Sequence, residues 1–195
     1  IIPYARGRVR SKPVDELKRE LETLASNGYR EVVLVGINLS AYGQGEDFDL
    51  ADAVEAACSV EGIARVRLGS LEPTLMRPLF IEKISRLKKL TPHFHLSMQS
   101  GSDSVLRGMR RRYNTEMALS SLAALRAALP RVQFTTDMMV GFPGESDEDF
   151  TALCEFVKEA KFERLGCFTY SQEEGTIAGE MENQIDEEVK EHRAE

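Results

Sequence analysis

The sequence predicts an α/β fold in which a parallel sheet is curved into a partial barrel. Segments rich in β-branched and aromatic residues begin near residues 31, 63, 93, 133 and 164, so one recurs every 30 to 40 residues, the length of a strand plus a helix. Between them, apolar residues recur at helical spacing. Five consecutive units without a reversal favour a barrel over a doubly wound sheet. Because a helix comes first, we expect a first strand before Ile1.

The first helix is predicted to begin at Pro13 and to end at Asn27 and Gly28, a common helix stop. The segment 31–35 (EVVLV) is almost wholly apolar, which is typical of a parallel strand buried on both faces. The later elements alternate: a helix around 50–58, a strand at 63–68, a helix at 79–90, a strand at 93–97, a helix at 115–129, a strand at 133–140, a helix at 147–160, a strand at 164–169 and a helical start at 186–193.

Composition favours one domain over residues 1–195. The chain is 42% hydrophobic and 29% charged, enough for one sizeable core, and it has no apolar run long enough to cross a membrane. Cys58, Cys154 and Cys167 are too widely spaced for a disulfide framework or a metal site, so we expect core cysteines in a reducing cytoplasm. The net charge of −7 means that a nucleic acid would need local basic patches.

Two basic stretches are candidates for such patches. The sequence opens without Met on Ile1-Ile2-Pro3 and then places Arg6, Arg8 and Arg10 on alternate positions, so we expect it to be the interior of a longer protein. The run 109–113 (MRRRY) adds Arg110 and Arg111 beside an aromatic ring. Both stretches suit phosphate binding, and a solvated charge run is the alternative.

Candidate ligand-binding residues follow the predicted strands, because a parallel barrel keeps its site at the carboxyl ends of its strands. In the segment 93–99 (HFHLSMQ) polar and apolar residues alternate, and we expect the polar row to face the lumen since helices cover the outside. The same rule places Asp137 in the lumen, with Arg67 as its candidate partner; a satisfied polar core is the alternative. The candidates are Asn38, Glu72, Gln99, Ser100, Asp137 and Tyr170.

Two loops are weaker candidates. The segment 99–103 (QSGSD) leaves a strand and enters a short helix, so it suits a ligand carboxylate or ribose, or is a capped turn. The segment 141–146 (GFPGES) has too few residues between its glycines for a phosphate-binding loop. Ser146 with Asp149 fits a capping box, so this segment is predicted to be a tight turn.

Four stretches resemble radical SAM methylthiotransferases, in the order in which they occur in that family. They are IIPYARGRVRS, HFHLSMQSGSDSVLRGMRRRY, TTDMMVGFPGESDEDF and FTYSQEEGT. Two of its segments, YARGRVRS and GSLEP, are most similar to the branch that modifies threonylcarbamoyladenosine in tRNA. The branches that act on isopentenyladenosine in tRNA or on a ribosomal protein are the alternatives.

The resemblance implies a partial (βα)6 barrel of the radical SAM type. It implies that the parent protein uses S-adenosylmethionine and two 4Fe-4S clusters to transfer a methylthio group to C2 of N6-threonylcarbamoyladenosine in the tRNA anticodon loop. On this basis the six strand-end candidates are expected to contact S-adenosylmethionine, Tyr4 to lie near it, and Arg6, Arg8, Arg10, Arg110 and Arg111 to contact tRNA.

The sequence departs from the family in one respect. It contains no C-x-x-x-C-x-x-C, and the first strand, the sulfur-supplying domain and the RNA-binding domain of the family are missing from it. We therefore expect a central catalytic-domain fragment that binds neither iron nor cofactor, is inactive by itself, and has residues 1–11 displaced. The rival interpretations are a cofactor-free barrel that binds RNA or protein, and a phosphate-chemistry barrel. DNA and membranes are not expected partners.

Overall fold

Parallel strands alternate with helices throughout the computed structural model, which describes Ala5 and residues 7–195. The elements are α1 (Val14–Ser26), β1 (Glu31–Leu34), α2 (Leu50–Ser59), β2 (Arg65–Leu68), α3 (Pro78–Ser85), β3 (His93–Gln99), α4 (Asp103–Gly108), α5 (Thr115–Ala128), β4 (Gln133–Val140), α6 (Asp147–Ala160), β5 (Arg164–Thr169) and α7 (Glu187–Ala194), with short 3-10 turns at Leu39–Ala41 and Pro73–Leu75. None of the described helices is long and apolar enough to cross a membrane.

The described strands follow one another in chain order. β1 pairs with β2, and β3, β4 and β5 form a second sheet, all parallel. Single bridges from Val66 to Leu90 and from Leu71 to Leu96 connect the two sheets. The N–H of Leu71 donates to the His95 carbonyl at 2.9 Å, and the N–H of Ser97 donates to the Leu71 carbonyl at 2.9 Å. This arrangement confirms the predicted α/β fold with a parallel, barrel-like sheet.

The predicted division of β3 into two faces is confirmed. Phe94, Leu96 and Met98 are fully buried in the main core against the helices, while the alternate polar residues of the strand are half-buried on the lumen side. Side chains alternate across a strand, so helices on one face leave the other row to the lumen.

The prediction that β1 is buried on both faces is wrong. Val32 and Leu34 are buried against the helices, but Val33 is 51% exposed and Val35 is 73% exposed. These two valines lie on the lumen side, where the described residues do not cover them. An apolar run in the sequence indicates that both faces of a strand can be buried. It does not indicate whether other residues cover each face.

Two further differences have local causes. The third helix ends at Ser85 rather than near Leu90, because the backbone after it bonds to β2: the N–H of Val66 donates to Lys89 O at 2.8 Å and the N–H of Thr91 donates to Val66 O at 2.9 Å. Cys167 is exposed rather than in the core, because β5 pairs only with β4 among the described strands.

Candidate functional site

A cavity of about 1390 Å³ lies at the carboxyl ends of β1, β2 and β3, where a parallel barrel keeps its site. It brings together three of the predicted residues: Asn38, Glu72 and Gln99. Residues 7–12 and Arg111 also line it. The lining of the cavity therefore combines amide, carboxylate and guanidinium groups with the exposed side chains of Val33 and Val35.

Local structure presents these three side chains at the cavity. Asn38 and Glu72 each lie in the loop after a strand, directly before a 3-10 turn, and the N–H of Glu72 donates to Ser40 Oγ at 2.8 Å. Gln99 ends β3 at a shift in strand register and has φ +65°, a conformation that non-glycine residues adopt rarely. Backbone strain of this kind persists only when the surroundings hold it, and it is common at binding sites.

Tyr113 holds the end of β3, a role that sequence reasoning missed. Its hydroxyl donates to the carbonyls of Ser97 at 2.7 Å and Met98 at 3.1 Å, directly before Gln99. Burial raises the pKa of Tyr113 to about 12, because the charged phenolate is poorly solvated there. The aromatic ring at the edge of MRRRY was the available signal, and it was interpreted as part of a basic patch.

The cavity does not gather the other three predicted residues. Ser100 is fully buried, and its Oγ accepts from the N–H of Ser102 at 3.2 Å. Tyr170 is 7% exposed, packs against Phe142, and has Lys190 Nζ 5.4 Å from its ring centroid. Both residues follow strands as predicted, but neighbouring segments cover them.

Asp137 lies in the lumen, as its place in the strand predicted, but its partner is different. His95 Nε2 lies 3.5 Å from Asp137 Oδ2, and His95 Nδ1 lies 3.0 Å from Thr135 Oγ1. The prediction that Arg67 is the partner is wrong, since Arg67 Nη2 lies 3.3 Å from His93 Nδ1 instead. Burial, and then the charge of Arg67, lowers the pKa of His93 and favours a neutral ring.

The lack of a side chain at Gly166 leaves space for the carboxylate of Asp137. A Cβ at residue 166 would lie 2.7 Å from Asp137 Oδ1, because the two residues are paired across β4 and β5. A larger residue there would displace the carboxylate. The side chain of Asp137 is half-exposed and open to the lumen.

The predicted basic residues separate into two groups. Arg8 and Arg10 are exposed at the cavity mouth, and Arg110 is exposed on the connection between α4 and α5. Arg111 instead enters the cavity, with 33% of its side chain exposed. Tyr4 and Arg6 lie outside the described residues.

The expected displacement of the opening stretch is not seen at its end. Ser11 Oγ accepts from the N–H of Gly43 at 2.9 Å, and the Tyr42 hydroxyl donates to the Lys12 carbonyl at 2.5 Å. These two contacts hold residues 11 and 12 to the loop after β1, beside the cavity.

The segment 141–146 is a tight turn, as predicted, and Ser146 and Asp149 form the predicted capping box. The N–H of Gly141 donates to Glu145 Oε1 at 2.9 Å, so this donor is not free for a phosphate. Glu145 Oε1 also accepts from Arg193 Nη1 at 2.7 Å, which fixes α7 to the turn. Sequence reasoning missed this contact because the two residues are 48 positions apart.

Comparison with known proteins decides the family. The model of the radical SAM superfamily matches residues 1–157. The chain belongs to the radical SAM superfamily. Members of this superfamily use S-adenosylmethionine and 4Fe-4S clusters.

Relatives in the radical SAM superfamily include two tRNA-modifying enzymes of different types. The chain is 42% identical over 195 residues to the tRNA-2-methylthio-N(6)-dimethylallyladenosine synthase of Alkaliphilus oremlandii, covering 99% of this chain and 41% of that protein. It is also 42% identical over 195 residues to the threonylcarbamoyladenosine tRNA methylthiotransferase MtaB of Bacillus subtilis, covering 99% of this chain and 43% of that protein. The chain thus spans about two fifths of the length of these relatives.

Solved structures show the same radical SAM fold. Coproporphyrinogen III oxidase (HemN) from Escherichia coli aligns with a TM-score of 0.66 at 14% identity, covering 91% of this chain and 43% of that one. SuiB from Streptococcus suis bound to S-adenosylmethionine aligns with a TM-score of 0.60 at 19% identity, covering 93% of this chain and 39% of that one.

The residues present fit one of the two superfamily cofactors. For S-adenosylmethionine the cavity offers amides, a carboxylate and Arg111, whose Nε is buried without a hydrogen-bond partner. For a 4Fe-4S cluster the described residues offer no group of three or more His, Cys, Asp or Glu side chains that could hold a metal. The cluster does not fit the described part of this chain.

Proposed function

We propose that residues 1–195 form the core domain of a tRNA methylthiotransferase that modifies C2 of N6-threonylcarbamoyladenosine in the anticodon loop of cytoplasmic tRNA. The observation that carries the proposal is the cavity that gathers Asn38, Glu72 and Gln99 at the carboxyl ends of three parallel strands. The 42% identity to the Bacillus subtilis relative supports the reaction and the substrate. The sequence segments YARGRVRS and GSLEP also support the branch that modifies threonylcarbamoyladenosine.

S-adenosylmethionine, when bound and reduced by a 4Fe-4S cluster of the whole protein, would be the source of the radical that activates the target carbon. The amide side chains of Asn38 and Gln99 and the carboxylate of Glu72 would hold it in the cavity, since the amides can donate and accept hydrogen bonds and the carboxylate can accept them. Asp137, held by His95, faces the lumen where the target base would enter. These residues bind and orient the reactants, which is how positioning lowers a barrier.

The tRNA phosphates are proposed to meet Arg6, Arg8, Arg10 and Arg110. Arg8 and Arg10 lie at the cavity mouth, and Arg110 is exposed beyond α4. Because the net charge is −7, these arginines have to act as a local patch. Substituting one of them should weaken binding of all tRNAs and reduce its salt dependence.

The test is a comparison of modified nucleosides in tRNA from cells with and without the full-length gene. We expect 2-methylthio-N6-threonylcarbamoyladenosine to disappear on deletion and to return when the gene is restored. Unchanged methylthio nucleosides would contradict the proposed function.

Dimethylallyladenosine is the second candidate substrate, because the Alkaliphilus oremlandii relative is also 42% identical. The same nucleoside comparison separates the two, since only one methylthio nucleoside should respond to the deletion. A cofactor-free RNA-binding barrel predicts instead that the full-length protein has no measurable affinity for S-adenosylmethionine.

A further inference from the structure

The loop that follows β3 is held by a carboxylate from a helix distant in sequence. Asp149, in the first turn of α6, accepts hydrogen bonds from the hydroxyl of Ser102, at 2.6 Å, and from the hydroxyl of Ser104. The two serines precede Asp149 by 47 and 45 residues. The contact therefore joins the loop at the end of β3 to the start of α6.

The two carboxylate oxygens of Asp149 have different partners. Oδ1 accepts from the two loop serines, whereas Oδ2 accepts from the N–H of Ser146 at 3.1 Å as part of the capping box of α6. Burial alone would raise the pKa of Asp149, but these hydrogen bonds outweigh burial and lower the pKa, so the group is ionised. Hydrogen bonds to an ionised acceptor are about twice as strong as neutral ones, so the serine contacts hold the loop firmly.

The backbone on both sides of Gln99 is fixed. After it, Ser102 is buried, and its N–H donates to Ser100 Oγ at 3.2 Å. Before it, the carbonyl of Met98 accepts from the Tyr113 hydroxyl at 3.1 Å. Gln99 therefore lies between two anchored points, one at Tyr113 and one at the serine contact with α6.

Gln99 needs this support because its backbone lies in the left-handed region. A φ of +65° is unfavourable for a residue with a Cβ, and such strain persists only when the surroundings hold it. Gln99 also lines the cavity, so its backbone conformation sets the direction of its amide. Without the contact at Asp149 the loop could relax to an unstrained conformation, in which the amide would point elsewhere.

We propose that Asp149 is a positioning residue, which keeps the amide of Gln99 directed into the cavity by holding Ser102 and Ser104. The inference rests on the proposed function, because it takes S-adenosylmethionine as the ligand that Gln99 meets. Asp149 itself is not among the described residues that line the cavity, so its effect on binding passes through the loop.

The experiment measures how tightly the full-length protein, with its cluster reconstituted under anaerobic conditions, binds S-adenosylmethionine. Calorimetric titration without tRNA compares Asp149→Asn, Gln99→Leu and the double variant with the wild-type protein. We expect each single variant to bind about tenfold more weakly, the effect of one lost hydrogen bond. The double variant should bind no more weakly than Gln99→Leu alone, because Asp149 then has no amide to position.

Two further variants separate positioning from the stability of α6. The variant that combines Ser102→Ala with Ser104→Ala removes the same contact from the loop side, so it should weaken binding as Asp149→Asn does. Ser146→Ala is the matched control, because it removes a hydroxyl from the α6 cap and leaves the loop contact in place. It should lower the melting temperature without changing the affinity for S-adenosylmethionine.

Unchanged affinity in Asp149→Asn or in the double serine variant overturns the proposal. A double variant of Asp149 and Gln99 that binds more weakly than Gln99→Leu also overturns it, because the effect of Asp149 then does not pass through Gln99. So does an equal loss of affinity in Ser146→Ala, because binding then follows the stability of the helix.

The titration distinguishes this proposal from the proposed function. A wild-type protein without affinity for S-adenosylmethionine contradicts the proposed function and, with it, the role of Asp149. A wild-type protein that binds S-adenosylmethionine, with Asp149→Asn binding equally well, contradicts only the role of Asp149. A protein that shows the expected pattern of affinities but leaves tRNA unmodified contradicts only the proposed function.

Discussion

Arg193 and Glu145 form an ion pair that is almost completely buried: Nη1 lies 2.7 Å from Oε1, and the side chains are 6% and 1% exposed. Arg193 Nη2 also lies 2.6 Å from Asp147 Oδ1. The pair fixes the last helix to the turn that ends β4, so the turn and the helix are expected to unfold together.

Arg193→Ala should therefore lower the free energy of unfolding by about 3–5 kcal/mol, because it leaves a buried carboxylate without its counter-charge. Urea denaturation measures this loss. Arg86→Ala is the control: its ion pair with Glu82 is exposed, with side chains at 74% and 59%, and should contribute about 0–1 kcal/mol. Equal losses of unfolding free energy in the two variants would show that the buried ion pair of Arg193 stabilises the protein no more than an exposed one.

Tyr113 should make stability fall at high pH. Its pKa is raised to about 12 from 10.0, so the folded state favours the neutral phenol. That contribution is complete below pH 10, the unfolded value, and is lost as the pH rises toward about 12. The pKa difference corresponds to about 3 kcal/mol.

Urea denaturation between pH 9 and pH 12 checks this, with Tyr113→Phe expected to lose this part of the pH dependence. Tyr29→Phe is the control, because Tyr29 is 59% exposed. The same pH profile in wild-type and Tyr113→Phe proteins would show that Tyr113 does not carry the effect.

Gly101 is required by the packing of α6 against the end of β3. A Cβ at this residue would lie 2.8 Å from Leu153 Cα and 2.9 Å from Phe156 Cβ. Gly101→Ala should destabilise the fold by about 1–3 kcal/mol through overpacking, measured as a lower melting temperature. Gly36→Ala should have a smaller effect, since its nearest atom would be 3.7 Å away. The opposite order of the two effects would contradict this account of the loop.

Gln99 should contribute to cofactor affinity. Its side chain lines the cavity, so Gln99→Leu in the full-length protein should weaken S-adenosylmethionine binding by about tenfold, the effect of one lost hydrogen bond. Gln133→Leu removes a matched amide at the opposite end of the neighbouring strand and should leave affinity unchanged. Equilibrium dialysis distinguishes them, and an unaffected Gln99→Leu variant would remove Gln99 from the site.

The local sequence pattern was sufficient to predict the strands and some of the residues that line the cavity. The alternation from His93 to Gln99 predicted which side chains enter the core, because a strand's period is fixed by backbone geometry. The position after each strand predicted Asn38 and Glu72 at the cavity, because parallel strands end at one edge.

Contacts distant in sequence explain the failures. Val33 and Val35 look like core residues, but their exposure depends on what covers the lumen. Tyr170 follows a strand as the cavity residues do, yet α7 lies over it through Lys190. Arg111 differs from its neighbours only through the left-handed backbone of Arg110, and nothing in the run of three arginines indicates which one turns inward.

Mass spectrometry of tRNA treated with the purified full-length protein tests most directly the proposal that this chain is the core of a methylthiotransferase acting on N6-threonylcarbamoyladenosine in tRNA. The reaction contains S-adenosylmethionine, a reductant and tRNA that carries N6-threonylcarbamoyladenosine, with unmodified tRNA as the control. We predict the gain of one methylthio group on the threonylcarbamoyladenosine alone. Recovery of unaltered tRNA from a protein with an intact cluster and bound S-adenosylmethionine would contradict this proposal.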